Sequence, residues 1–220
     1  MKKPRFIFIF FGPPGSGKGT QSDVLGAKLG YPVISTGELL RHEEKIKSAL
    51  GLKARRYIKK GELVPDELIH KMMQRRLTKR DTTKGFILDG YPRDAKQLGD
   101  LLKLTQTKYE IWLIEIKVSD KEVINRMSGR RVCDCGASYH LIYKPSKKSG
   151  ICDLCGKKLY IREDDKPAVV RERLAHYKDS ATPLIAYGKK YKRLISIKGE
   201  QAIVKVKQDI NSKVAKVIKN

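Results

Sequence analysis

Gly12-Pro13-Pro14-Gly15-Ser16-Gly17-Lys18-Gly19-Thr20 is the stretch on which the fold turns. Before it runs Phe6-Ile7-Phe8-Ile9-Phe10-Phe11, continuously apolar and rich in aromatic and β-branched residues. Such a run reads as a strand covered on both faces, as in a parallel sheet. After it, residues 21–29 carry Val24, Leu25 and Leu29 at helical spacing. A glycine turn between a strand end and a helix start offers free backbone N–H groups and the positive end of a helix dipole, which together favour a phosphate. Gly15, Gly17 and Gly19 let the backbone approach closely, and Lys18 adds a compact positive charge. A glycine turn without a ligand would leave that Lys without a purpose. Phosphate loops usually place Ser or Thr directly after the Lys, to hold Mg²⁺. Here Gly19 follows Lys18, and the hydroxyl comes one position later on Thr20.

A chain of 220 residues and 25.0 kDa suits one α/β domain, 1–220, with small insertions. No apolar run reaches the ~18 residues that span a bilayer. Lys2-Lys3 followed by the Phe6–Phe11 run imitates a signal peptide but leads straight into the phosphate loop, so the cytoplasm is the expected location. There the four cysteines are expected to hold a metal and not to form disulfides. Lys and Arg number 48 against 24 Asp and Glu, a formal charge of +24. The basic residues are scattered, so a solvated basic surface is expected before a specific nucleic-acid site.

Further along, residues 31–35 form a short strand signal, and Thr36 is placed to cap the helix that carries Arg41. Gly51 and Gly61 punctuate two helical stretches, and Pro65-Asp66 opens another that runs to about Lys79. Residues 85–89 form a second buried strand that ends in Asp89-Gly90-Tyr91-Pro92-Arg93. A carboxylate at the end of a parallel strand beside a phosphate loop can hold a metal-bound water, or it can cap a turn. Residues 110–118 form a third strand. Ser119 and Glu122 form a capping-box pair opening a helix whose Arg126 and Arg130, four apart, share a face. Pro167 opens a long helix to about Tyr187 with Arg171 and Arg173, residues 194–197 make a last strand, and residues 202–218 an amphipathic helix with Ile203, Val206, Ile210, Val214 and Val217 on its apolar side.

The segment from Cys133 to about Arg162 differs from its surroundings. Cys133, Cys135, Cys152 and Cys155 form two close pairs with Gly136 and Gly156 behind them, the pattern of a zinc ribbon. The first pair is Cys-x-Cys, which strains the match and leaves Asp153 or His140 as substitute ligands. Incidental buried thiols are the alternative.

Taken together, Gly12–Thr20, Ser35-Thr36-Gly37-Glu38-Leu39-Leu40-Arg41, Asp89–Arg93 with Gln97, Gly129-Arg130-Arg131-Val132 with Tyr139-His140, and Arg162-Glu163-Asp164-Asp165 with Arg171 and Arg173 resemble the adenylate kinase family in its long form with a zinc-bearing LID. The resemblance covers nearly the whole chain. It implies a P-loop NTPase-type five-stranded parallel sheet flanked by helices, with mobile insertions at about 35–64 for the nucleoside monophosphate and about 131–164 for the LID. It implies reversible transfer of the terminal phosphoryl group from ATP to AMP, giving two ADP. ATP would lie on Gly15, Ser16, Gly17, Lys18, Gly19 and Thr20, bordered by Arg130, Ser138, Tyr139 and Gln201. AMP would meet Thr36, Arg41, Glu62, Leu63, Val64, Gly90, Tyr91, Pro92, Arg93, Gln97, Arg162 and Arg173. Lys18, Arg93, Arg126, Arg130, Arg162 and Arg173 would surround the transferring group, with Asp89 orienting waters of an ATP-bound Mg²⁺, assisted by Asp164 or Asp165. Tyr91-Pro92 is a candidate cis peptide. Cys133, Cys135, Cys152 and Cys155 would hold structural Zn²⁺. The resemblance further implies a monomer without membrane or nucleic-acid partners. A kinase for UMP or CMP, a GTP-using enzyme, and a basic P-loop protein that binds RNA are the competing readings.

Overall fold

The computed structural model describes residues 4–60, 62–106 and 108–219. Five parallel strands form one sheet: β1 (Phe6–Phe11), β2 (Val33–Ser35), β3 (Gly85–Asp89), β4 (Glu110–Lys117) and, last in the chain, β7 (Leu194–Lys198). Their spatial order is β2-β3-β1-β4-β7. The order reverses at β1, and in such sheets a ligand crevice opens beyond the carboxyl ends of the strands at that point. The register sets Phe10 of β1 beside Asp89 at the end of β3.

The alternation of β1 explains its apolar run. Ile7, Ile9 and Phe11 enter one core with Met73, Leu98 and Leu101, while Phe6, Phe8 and Phe10 enter the opposite core with Leu25, Ile210 and Val214. Helices cover both faces: α1 (Lys18–Leu29) and α8 (Ile203–Lys219) on the second, and α4 (Asp66–Leu77), α5 (Ala95–Thr105) and α7 (Pro167–Lys190) on the first. Val206, Ile210 and Val214 of α8 are buried as the amphipathic pattern predicts, but Ile203 is exposed at the helix start.

Several local expectations change. Helix α1 begins at Lys18, three residues before the apolar periodicity, because Gly17 at its N-cap adopts a left-handed φ of 89° and releases Lys18 directly into the first turn. Gly51 does not break a helix. It lies inside α3 (Ala49–Lys60), which pairs with α2 (Thr36–Lys45). A Cβ at Gly51 would stand 2.2 Å from the carbonyl carbon of Glu43, so the glycine permits two backbones to touch. Gly61 lies outside the described residues. The box at α6 (Asp120–Gly129) is half formed: Ser119 caps Glu122 N–H, but the Ser119 N–H is taken by Glu200, and Glu122 turns to Arg126 instead.

Helix α6 also stops one residue short of Arg130, which opens the small hairpin of β5 (Arg130–Val132) and β6 (Ser138–His140). Arg126 and Arg130 therefore do not share a helix face. The chain returns from the hairpin segment through a short 3₁₀ turn, Glu163–Asp165, which touches both α3 and α7. Among the described residues, no helix is long and apolar enough to cross a membrane.

Candidate nucleotide and metal sites

The phosphate loop closes on itself around Lys18. Ser16 N–H donates to the Pro13 carbonyl, and the Lys18 ammonium reaches the same oxygen at 3.3 Å. Burial pushes the Lys18 ammonium down to about 8, with Asp89 opposing and Arg173, Arg93 and Arg130 assisting. Ser16 Oγ and Asp89 Oδ1 are buried without partners, two polar atoms at the loop that a bound phosphate and its cation would satisfy. A Cβ at Gly19 would stand in ordinary contact with Asp89 Oδ2, at 3.5 Å, so the loop runs directly past this carboxylate. Thr20, which carries the displaced hydroxyl, is exposed in the first turn of α1.

Beside the loop lies a solvent-open cavity lined by Thr36, Arg41, Glu62, Leu63, Val64, Gly90, Arg93, Gln97 and Arg173, among others. Nine residues expected on the AMP side thus share one space. Thr36 does not cap α2: Ser35 holds the N-cap position, and Thr36 Oγ1 donates to the Gly90 carbonyl at 3.0 Å, tying α2 to the end of β3. The Tyr91-Pro92 bond is cis. Tyr91 is buried, its hydroxyl donating to the Gln97 carbonyl, so its part is to support the cavity from behind. Arg93 Nε donates to the Gly90 carbonyl, and Arg93 N–H donates to Gln97 Oε1 at 2.9 Å. A second solvent-open cavity shares Leu63, Gly90, Arg93 and Arg173 with the first, and adds Lys18, Pro92, His176 and Tyr177. Lys18, Arg93 and Arg173 therefore line two adjoining cavities that share a wall.

The cations crowd one another. Burial, followed by Arg41 and Arg130, pulls Arg162 down to about 10, and burial lowers Arg93 and Arg173 in the same direction. Two buried carboxylates offset them. Arg130 pairs through both Nε and Nη2 with Asp165, whose side chain is fully buried, and Arg173 reaches Asp164 at 3.0 Å and Asp165 at 3.5 Å. Burial acts against the Asp164 charge, but Arg173, Arg130 and Arg162 outweigh it and hold that carboxyl below its ordinary range.

Four expected site residues have their side chains engaged, or their positions set, within the protein. Arg126 sits one turn before the end of α6, where Glu122 and the Gly199 carbonyl hold its guanidinium at 2.7 and 2.8 Å beneath the Tyr143 ring, with its Cβ beside Gly15 of the phosphate loop. Tyr139 is buried within the hairpin segment, its hydroxyl accepting from Asp153 N–H and lying 3.5 Å from Cys152 Sγ, so it faces the cysteines. Gln201 donates to Asp209 on α8. Ser138 lies in β6 opposite Val132. Sequence reasoning missed Asp66, His176 and Tyr177. The last two follow Arg173 by about one turn of α7, a spacing that could have flagged them. It also missed Asp23 on α1, whose carboxyl rises to about 6 through burial and the nearby Glu38 and Asp89.

The four cysteines converge. Their Sγ atoms all lie within 4.8 Å of one another, with Cys133 to Cys155 at 3.3 Å and Cys135 to Cys152 at 3.6 Å. None forms a disulfide. Tetrahedral Zn–S bonds of ~2.3 Å place sulfurs about 3.8 Å apart, so this set could hold a metal ion despite the shortened first pair. No substitute is required: His140 Nδ1 accepts from Ile142 and Tyr143 N–H, and Asp153 accepts from Lys147 N–H.

A family model described as adenylate kinase matches residues 10–193. An adenylate kinase of Methanocella arvoryzae is 45% identical over 214 residues, covering 96% of this chain and 99% of the relative. One from Caldicellulosiruptor saccharolyticus is 44% identical over 205 residues, 92% of this chain and 95% of the relative. One from Archaeoglobus fulgidus is 45% identical over 213 residues, 95% and 98% respectively. Matched over nearly its whole length by such relatives, and by the family model over most of it, the chain belongs to the adenylate kinase family.

Proposed function

We propose that the chain catalyses the reversible transfer of the terminal phosphoryl group of ATP to AMP, giving two ADP. The observation that carries this is the crevice in which Lys18 of the phosphate loop and Arg93 and Arg173 border the cavity lined by Thr36 and Gln97. The acceptor is already an anion, so no general base is needed. The chemistry requires alignment of two charged nucleotides and neutralisation of their repulsion. ATP phosphates rest on Gly15, Ser16, Gly17, Lys18, Gly19 and Thr20. AMP lies under Thr36, Arg41, Glu62–Val64, Gly90 and Gln97, with its phosphate on Arg93. Arg130, Arg162 and Arg173 surround the group in transfer, with Arg126 beside the phosphate loop at Gly15 as a further cation of that ring. Residues 35–64 act as the AMP-binding insertion and 131–164 as the LID, which excludes water from the phosphoryl group.

The unpartnered Asp89 Oδ1 fits the water shell of Mg²⁺, which when bound with ATP supplies charge neutralisation at the phosphates. The set of four converging thiols fits a structural Zn²⁺, which when bound would crosslink a segment too short for a large core of its own. A monomeric cytoplasmic enzyme, with its basic excess spread over exposed positions such as Lys205, Lys207, Lys213, Lys216 and Lys219 of α8, accords with this reading. A coupled assay of ATP against AMP, CMP, UMP and GMP tests it. AMP should be used far better than the others; equal use of a pyrimidine nucleotide would reject it.

A further inference from the structure

Gln97 is held at both ends of its side-chain amide. Its Oε1 accepts from Arg93 N–H at 2.9 Å, and its Nε2 donates to Asp66 Oδ1 at 2.7 Å. A backbone N–H can only donate, and an Asp carboxylate accepts, so the two partners fix which end of the amide is oxygen and which nitrogen. Gln97 is 4% exposed and borders the cavity that Thr36 and Arg93 also line. Its own backbone is fixed too, with its N–H donating to the N-cap Asp94 and its carbonyl accepting from Tyr91. Asp66 is the first residue of α4, behind the cavity wall, and Lys96 approaches its other oxygen at 3.4 Å.

We infer that Asp66 is a specificity-determining positioning residue, which locks the Gln97 amide in the one orientation that reads an adenine edge. This deepens the proposed function and rests on its placement of AMP in the Gln97 cavity. One Nε2 hydrogen and one Oε1 lone pair of Gln97 remain free. Adenine offers an acceptor at N1 and a donor at N6, which complement a free N–H and a free carbonyl. Guanine and hypoxanthine carry the reverse, a donor at N1 and an acceptor at O6. Accepting them would require the amide to turn over. That would set its NH₂ against Arg93 N–H and its oxygen against the Asp66 carboxylate, donor on donor and acceptor on acceptor, in a buried place. Sites built on such fixed polar partners discriminate more strongly than apolar ones.

The test compares kcat/KM for AMP and IMP, with ATP as donor, in wild type, Asp66→Asn, Asp66→Ala and Gln97→Ala. IMP carries the reversed edge without the 2-amino group of guanine, so the comparison isolates the edge. An Asn at 66 accepts or donates equally well, so it releases half of the lock. The AMP-to-IMP preference should fall by about ten-fold or more in Asp66→Asn, the loss expected of one charged hydrogen bond, with KM for ATP unchanged. A resonance readout accompanies it: the Gln97 Nε2 proton signals in ¹⁵N spectra should move in both Asp66 variants. An unchanged preference in both variants, or a parallel loss for AMP, IMP and ATP, overturns the inference while leaving the AMP site standing, provided Gln97→Ala abolishes the preference. Gln97→Ala with its preference intact overturns the placement of AMP and the inference with it.

Discussion

Replacing Lys18 by Met should remove phosphoryl transfer while making the nucleotide-free protein more stable. The ammonium is held down from 10.5 to about 8, chiefly by burial, with Arg173, Arg93 and Arg130 adding repulsion. At ~1.36 kcal/mol per pKa unit, keeping that charge in the empty crevice costs about 3 kcal/mol. The side chain keeps part of its surface in crevice solvent, and Met forfeits the bond to the Pro13 carbonyl, so a net gain of ~1–2 kcal/mol is expected after solvent screening. For a chain of this size that is a rise in Tm of about 2–8 °C. The pH dependence has a definite sign. Below about 8 the Lys is protonated whether folded or unfolded, and the full penalty stands. As pH rises from about 8 towards 10.5 the folded state gives up its proton first, stability of the wild type rises, and the gap between wild type and variant closes. Calorimetry from pH 7 to pH 9.5, with and without ATP, measures this, because ATP should raise the wild-type Tm by mass action and leave the variant's nearly unmoved. A variant less stable than wild type at pH 7, or one that keeps near-normal turnover, would refute the reasoning.

Arg93→Ala should raise KM for AMP by ten-fold or more, from a charged hydrogen bond of ~1.5–3 kcal/mol, and leave ATP affinity nearly untouched; equal loss for both in titration calorimetry would contradict the two-site arrangement. Metal analysis should find one zinc per chain and none in Cys152→Ser, with the hairpin segment loosened in hydrogen exchange while the sheet keeps its protection; protein free of metal, or joined by a disulfide, would rule this out. Gly51→Ala should cost at least ~2 kcal/mol in denaturant unfolding, more than the usual gain of an Ala in a helix, because the neighbour at 2.2 Å is backbone and cannot rotate away; a stabilised variant would mean α2 and α3 do not pack as described.

What could be read in the sequence is what depends on short-range chemistry. The doubly covered strand Phe6–Phe11, the glycine loop with Lys18 and the strand ending in Asp89 each carry their own pattern, and the sheet follows from joining them. The cysteines too announced a shared site, although Cys-x-Cys spacing alone could not show that four sulfurs meet. What escaped depends on partners distant in the chain. Gly51 looks like a helix breaker until Glu43 lies against it. Glu122 looks like half of a capping box until Glu200, 81 residues from Ser119, takes the bond. Arg126 and Arg130 look like neighbours on one face until the helix ends between them. Asp66 looks like an ordinary acidic first-turn residue, and only the fold sets it against Gln97, 31 positions away.

The arginine cluster has a meaning for the architecture as well as for the chemistry. Arg41 comes from α2, Arg93 from the loop after β3, Arg130 and Arg162 from the two roots of the cysteine segment, and Arg173 from α7. Each is repelled by at least one other, and Asp89, Asp164 and Asp165 are the carboxylates that oppose them. Those carboxylates thus hold like charges from separate pieces of the fold side by side. A polyanion bound among these cations should add to what the carboxylates do, so its binding is expected to tighten the packing of these pieces as well as to neutralise them. Salt should report on this balance: at ~0.15 M ionic strength the screening length is about 8 Å, so repulsion among the partly exposed members of the cluster should weaken as salt rises.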